Sequence, residues 1–143
     1  MTFEELEALA QREIGHRLFT VMRHHGGHNQ RVWSSNPAAY PPGGAKKVRE
    51  TEWTRILLRE GRPFIGRDAA DIRTHFPDAE TILALGCKSV LNLPVLHDGR
   101  VLGTVNLLHR AGHYGEAEAE RGMRILAPAA VPLLLGDLPS GGS

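Results

Sequence analysis

The chain has 143 residues, 41% of them hydrophobic and 23% charged, proportions that exclude a disordered chain and fit one soluble globular domain. The formal net charge is +1 with only Lys46-Lys47 as a basic cluster, so the electrostatic footprint of a nucleic-acid binder is absent. A single cysteine, Cys87, excludes an internal disulfide and fits a reducing cytoplasm.

Phe3, Leu6, Ala10, Ile14, Leu18, Val21 and Met22 recur at helical spacing and predict a first helix over residues 2–25, with Thr2 as its cap and Gly26-Gly27 as its stop. Its start is acidic and amphipathic, unlike a signal peptide. Residues 29–35 alternate like a strand. Residues 36–47, rich in Pro, Gly and Ala, read as a loop with a short edge strand. A second helix is predicted over residues 50–60, stopped by Gly61, and a short strand over residues 63–65. Asp68 caps a helical turn carrying Asp71, Ile72 and Phe76. Asp78 caps another carrying Ile82, Leu83 and Leu85, closed by Gly86.

Residues 89–109, SVLNLPVLHDGRVLGTVNLLH, are the most informative stretch. Asp98-Gly99 between two apolar runs is a strong hairpin signal. A three-residue loop of His97, Asp98 and Gly99 sets Leu96 opposite Arg100, Leu93 opposite Gly103 and Leu91 opposite Val105. One face then holds Leu91, Leu93, Val95, Val101, Val105 and Leu107. The other holds Asn92, Pro94, Thr104 and Asn106 among Val90, Leu102 and Leu108. A one-residue slip would mix the sets, so burial of one face selects the register. Residues 116–135 form a last helix, acidic at its start and expected to kink at Pro128 and Pro132. Its apolar part, residues 125–135, is too short to span a bilayer, so no membrane partner is expected. No repeat is present.

This order predicts an α+β fold: an antiparallel sheet with the N- and C-terminal helices on one face, and a ligand pocket covered by loops and short helices on the other. Residues 1–137 form the single domain and residues 138–143 a flexible C-terminal tail.

At Leu85-Gly86-Cys87-Lys88-Ser89-Val90-Leu91-Asn92-Leu93-Pro94-Val95, followed by Asp98-Gly99-Arg100-Val101-Leu102-Gly103-Thr104-Val105-Asn106-Leu107, the chain resembles a GAF domain. Such domains show a Gly-x-x-Ser, small apolar residues with Pro, a turn and a Gly-containing strand. The resemblance covers nearly the whole chain and implies a stand-alone GAF domain protein with a sensory or regulatory role. It does not name a ligand, because the family binds cyclic nucleotides, tetrapyrroles, haem, amino acids and other metabolites. A homodimer through the terminal helices is common among similar domains and is expected here.

The candidate ligand-binding residues are Trp33, Ser35, Tyr40, Trp53, Phe64, Asp71, Phe76, Asn92, Thr104, Asn106 and His109. Small-molecule pockets are mostly apolar with a few placed polar groups, and aromatics from residues 33–76 over Asn92, Thr104 and Asn106 match that description. A buried Asn without partners costs free energy, so two on one mid-sheet face call for a ligand, a water or a loop backbone opposite them. Arg55, Arg67 and Arg73 offer a guanidinium fork for an anion. A chamber filled instead by Trp53 and Phe76 would favour a purely interaction role.

The alternative is a small-metabolite enzyme on the same scaffold, such as a free methionine-(R)-sulfoxide reductase-like thiol enzyme using Cys87. An intramolecular disulfide cycle needs two thiols and this chain has one, so the ordinary expectation for Cys87 is a small core residue. Ser35 with Asp71 or Asp78 and a histidine lacks a nucleophile elbow. His24, His25 and His28, and the pair His109 and His113, lack the further ligands of a metal site. No catalytic residue, cofactor or metal is therefore assigned.

Overall fold

The computed structural model describes residues 1–136; the expected tail, residues 138–143, lies outside the described residues. Six antiparallel strands form one sheet in the order β3-β2-β1-β6-β5-β4. They are β1 (Leu18–His25), β2 (His28–Ser34), β3 (Lys46–Lys47), β4 (Phe64–Gly66), β5 (Ser89–His97) and β6 (Arg100–His109).

Helix α1 (Phe3–Glu13) starts at a capping box in which Thr2 Oγ1 accepts from the Glu5 N–H at 3.1 Å and Glu5 Oε1 accepts from the Thr2 N–H at 2.9 Å. It ends much earlier than the periodicity predicts. Gly15 takes a φ of 97°, a left-handed conformation open mainly to glycine, and the chain turns into β1. The expected helix over residues 2–25 is thus a helix and a strand. Leu18, Phe19, Thr20 and Val21 are all buried, because β1 has neighbours on both edges and cover on both faces. A strand buried on both sides reads as a continuous apolar run, which helical spacing fits equally well. Gly26 and Gly27, at φ 58° and 78°, form the tight turn into β2 rather than a helix stop.

The β5–β6 hairpin turns at Asp98-Gly99, but through a two-residue loop with His97 opposite Arg100; both turn residues have positive φ, 52° and 76°. A bulge between Val95 and Leu96 adds a second shift, so Leu93 faces Val105 and Leu91 faces Leu107. Each of these one-residue changes alone would invert the faces; together they restore the parity expected from sequence. Leu91, Leu93, Val95, Val105 and Leu107 lie in one core cluster with Leu6 and Ala10 of α1 and Leu126, Ala130 and Leu134 of α5 (Glu116–Gly136). Val101 is the exception: the bulge sets it opposite Leu96, and Leu102 joins that cluster instead. Burial of each such leucine contributes roughly 1.5–3 kcal/mol. Helix α5 runs through both Pro128 and Pro132. Pro94 lies past the last residue of β5 paired with β4, Asn92, a place where a missing N–H is tolerated on one edge.

The other sheet face is covered by the segments of residues 36–86 that lie outside β3 and β4. Helix α2 (Glu52–Thr54) runs into a single π turn, Arg55–Arg59, ended by Gly61. Helices α3 (Ala69–His75) and α4 (Ala79–Ala84) follow, and the Asp68 side chain caps α3 by accepting from the Asp71 N–H. Leu18, Leu57, Phe64, Ile72, Ile82, Cys87, Val90 and Leu108 form the second core cluster between this cover and the sheet. No helix among the described residues is long and apolar enough to cross a membrane.

Candidate functional site

The strand register lines up five residues across the covered face. Phe64 lies opposite Asn92, Asn92 opposite Asn106, Asn106 opposite Thr20, and Thr20 opposite Ser34. Directly opposed side chains share a face and touch, so the register itself brings the amides together. Asn92 and Asn106 are only 2% and 5% exposed.

Their hydrogen bonds run in one direction. Trp53 Nε1 donates to Asn92 Oδ1 at 2.9 Å, Asn92 Nδ2 donates to Asn106 Oδ1 at 2.7 Å, and Asn106 Nδ2 donates to Thr20 Oγ1 at 3.1 Å. The row is therefore largely satisfied within the protein; the Trp53 indole links its amides to the helical cover, and at its far end Ser34 Oγ accepts from the Asn36 N–H at 3.1 Å. Phe76 meets Trp53 edge to face with ring centroids 6.1 Å apart, and Phe64 meets Phe76 in the same way at 6.3 Å. Trp53 thus lies against Asn92, with Phe76 packed on the indole. Thr104, one step along the same face, is buried and its Oγ1 has no hydrogen-bond partner. A buried hydroxyl left in that state costs about 1–3 kcal/mol.

A second cluster fastens the loop over residues 36–47. The Tyr40 hydroxyl donates to Asp78 at the start of α4, the Arg31 guanidinium lies 3.6 Å over the Tyr40 ring centroid, and Arg31 Nη1 donates to the Pro41 carbonyl at 2.8 Å. Burial, and then the Asp78 carboxylate, push the Tyr40 phenol up, so it stays a donor.

Tyr40, Trp53, Phe64, Phe76, Asn92, Thr104 and Asn106 thus lie on the covered side of the sheet, on its face or packed into the second core cluster. The remaining four candidates lie elsewhere. Trp33 pairs with Val21 and packs between Phe3 and Phe19 on the helix side. Ser35 Oγ accepts from the Phe19 N–H at 2.9 Å beyond the end of β2, leaving Ser34 as the serine of the row. Asp71 accepts from the Arg67 N–H at 2.9 Å in the first turn of α3. His109 stacks on His113 at 4.0 Å, and His113 Nε2 is 3.0 Å from the Ile14 carbonyl, which ties both rings to the end of α1. Burial, followed by the neighbouring His113, pushes the His109 pKa down.

The arginine fork does not assemble. Arg55 pairs with Glu60, Arg67 with Glu116 at 3.5 Å and Arg73 with Glu80 at 3.3 Å, all at the surface. Sequence reasoning missed Thr20, Ser34 and Arg31. The first two depend on β1 being a strand; the signal available for Arg31 was its place in the alternating run of residues 29–35. Cys87 is completely buried, and desolvation pushes its thiol up, away from the thiolate that nucleophilic chemistry needs. Among the described residues no three His, Cys, Asp or Glu side chains converge as a metal site.

The family described as GAF domain matches residues 3–134. A GAF domain/HD domain protein from Geobacter sulfurreducens superposes with a TM-score of 0.71 at 16% identity, covering 93% of this chain and 89% of that one. The GAF domain of a two-component sensor histidine kinase from Bacillus halodurans does so with a TM-score of 0.68 at 10% identity, covering 92% and 93%. The blue-light absorbing form of the Thermosynechococcus elongatus PixJ GAF-domain gives 0.64 at 17% identity, covering 92% and 82%. At these identities the likeness is one of fold. No curated protein sequence matches the chain.

Proposed function

The chain belongs to the GAF domain family, and on that premise we propose that it is a sensory or regulatory domain whose ligand is a small molecule held between the amide row and the cover. The observation that supports this most is the single bond from Trp53 to Asn92. It ties the helical cover directly to the amides, so a ligand that brings its own donor to Asn92 Oδ1 releases the indole. Release of Trp53 frees Phe76 as well and repositions α2 and α3. The ligand thereby shifts the population of covering-segment conformers that a partner meets. Thr104 Oγ1 offers a second, unused polar contact beside the first. The names of the structural neighbours, a sensor histidine kinase GAF domain and a blue-light absorbing GAF-domain, agree with such a role.

One observation favours a second reading. Trp53 already occupies the hydrogen-bonding position on Asn92 and Phe76 packs on it, which suits a closed module that acts only by binding another protein. The thiol-enzyme alternative has less support, because Cys87 is buried. Native mass spectrometry of freshly purified protein separates these readings. A retained small molecule that is lost in Asn92→Leu, with Trp53 emission changing as it leaves, supports the sensor. A bare chain mass, together with unchanged Tm and emission across a panel of nucleotides, amino acids and tetrapyrroles, supports the interaction module.

The same reading includes a cytoplasmic setting and a homodimer through α1 and α5. Its support is that the two helices share one sheet face and that Val131, Leu133 and Leu135 remain half-buried there. Sedimentation velocity tests the dimer, and a monomer at tens of micromolar rejects it.

A further inference from the structure

Beyond Thr104, the covered sheet face continues toward the hairpin turns and opens into a groove of about 770 Å³. That volume lies in the range of small-molecule sites, and no residue lining the groove belongs to the amide row. Three segments line it: the β1–β2 turn, the β5–β6 turn and the end of the π turn.

Its apolar lining is Leu58, Leu96, Val101 and Leu102. Leu96 is 42% exposed and, with Met1, is one of two exposed large hydrophobics among the described residues. Gly61 keeps this lining open. A Cβ there would sit 3.3 Å from Leu96 Cδ2, and its φ of 63° already disfavours any side chain.

The rim carries His24, His25, Arg59 and Arg100. Among the described residues Glu60 is the one acidic side chain lining the groove, and its carboxylate is taken up by Arg55 and Arg62. Arg59 pairs with Glu50 at 2.8 Å, but both side chains are about two-thirds exposed, so that pair exchanges readily with a competing anion. Apolar side chains beside two arginines, Arg59 and Arg100, select a ligand with the opposite pattern.

We propose that this groove binds an anionic amphipath, with its acidic head at Arg100 and His24 and its apolar body over Leu96, Val101 and Leu58. The site is separate from the amide row, and its occupancy does not depend on displacement of Trp53. Bound there, the molecule would bridge both turns to the π turn and so reach the same covering segment from its other end.

The test is a titration of ¹⁵N-labelled protein with decanoate below its micelle concentration. Amide shifts are expected at Gly61, Leu96, Arg100 and Val101, with the Trp53 indole signal unmoved. Decyltrimethylammonium should bind at least tenfold more weakly. Leu96→Asp should weaken decanoate binding at least tenfold and Arg100→Glu at least threefold; both positions are exposed, and circular dichroism melts check that the variants fold. Equal affinity for the two detergents, shifts centred on Trp53, or wild-type binding by both variants would overturn the proposal. Binding to phosphatidylglycerol vesicles without binding of monomeric decanoate would also overturn it, since that assigns the surface to a membrane.

Discussion

Trp53 and Asn92 are 39 residues apart in sequence, yet the indole N–H of one reaches the amide oxygen of the other at 2.9 Å. This bond joins the covering segment to the middle of the sheet, and the Asn92–Asn106–Thr20 row extends it across three strands. The row rigidifies the sheet centre while every member is paired, and becomes costly once one member is lost.

Asn106→Leu is therefore expected to destabilise the fold by about 1–3 kcal/mol, because Asn92 Nδ2 and Thr20 Oγ1 lose their partner together. The double variant Asn92→Leu/Asn106→Leu should cost clearly less than the sum of the single variants, since both act on one network. Equilibrium urea unfolding measures all three, and strict additivity would sink the idea of a coupled row.

Two glycines permit close packing, and their alanine variants should rank in a definite order. A Cβ at Gly103 would lie 2.0 Å from the Met22 carbonyl oxygen, which is backbone and cannot step aside. A Cβ at Gly122 would lie 2.5 Å from Leu93 Cδ1, a side-chain end that can move. Overpacking costs about 1–3 kcal/mol, whereas Ala in place of Gly in a helix returns roughly 1 kcal/mol. Gly103→Ala should lower Tm far more than Gly122→Ala, as differential scanning calorimetry can show.

His16 makes stability depend on pH. Its ring is buried; desolvation pushes its pKa down, and the nearby Glu7 only partly opposes this. The unfolded chain then binds the proton more readily than the folded one, so stability rises with pH across this titration. The contribution is complete above about pH 6.5, the ordinary histidine value, and is lost as pH falls through the depressed folded pKa. His109 is shifted in the same direction. Unfolding free energies at pH 7.5 and pH 5 should differ less in His16→Gln than in the wild type.

Cys87 should be inert while the protein is folded. A completely buried thiol with its pKa pushed up by desolvation presents little thiolate to a reagent. Labelling with a disulfide reagent should be orders of magnitude slower in buffer than in urea. Equal rates in the two conditions would revive a thiol-based activity. Cys87→Ser should leave the Trp53 emission spectrum unchanged.

Much of the site was legible because alternation in β5 and β6 carries its own face assignment. Asn92, Thr104 and Asn106 separate from Leu91, Leu93 and Val105 in any register of the right parity, and the structure has that parity although the turn and the bulge each differ from expectation. The placement of Trp33 was not legible. It depends on pairing with Val21 in a strand whose apolar spacing also fits a helix. His109 was drawn toward the pocket by its position at the end of β6, but stacking on His113 holds it at the other face.

By itself, the sequence determined the hairpin, its two chemically distinct faces, the helical cover at each terminus and the family resemblance. These rest on local turn chemistry and on side-chain periodicity, which act between neighbours in the chain. Tertiary structure alone decided that residues 18–25 form a central strand, that Trp53 rather than Trp33 meets the amides, and that Leu96 and Arg100 face the π turn across a groove. Each of those outcomes is set by contacts between distant segments, where packing outweighs the modest differences in local propensity.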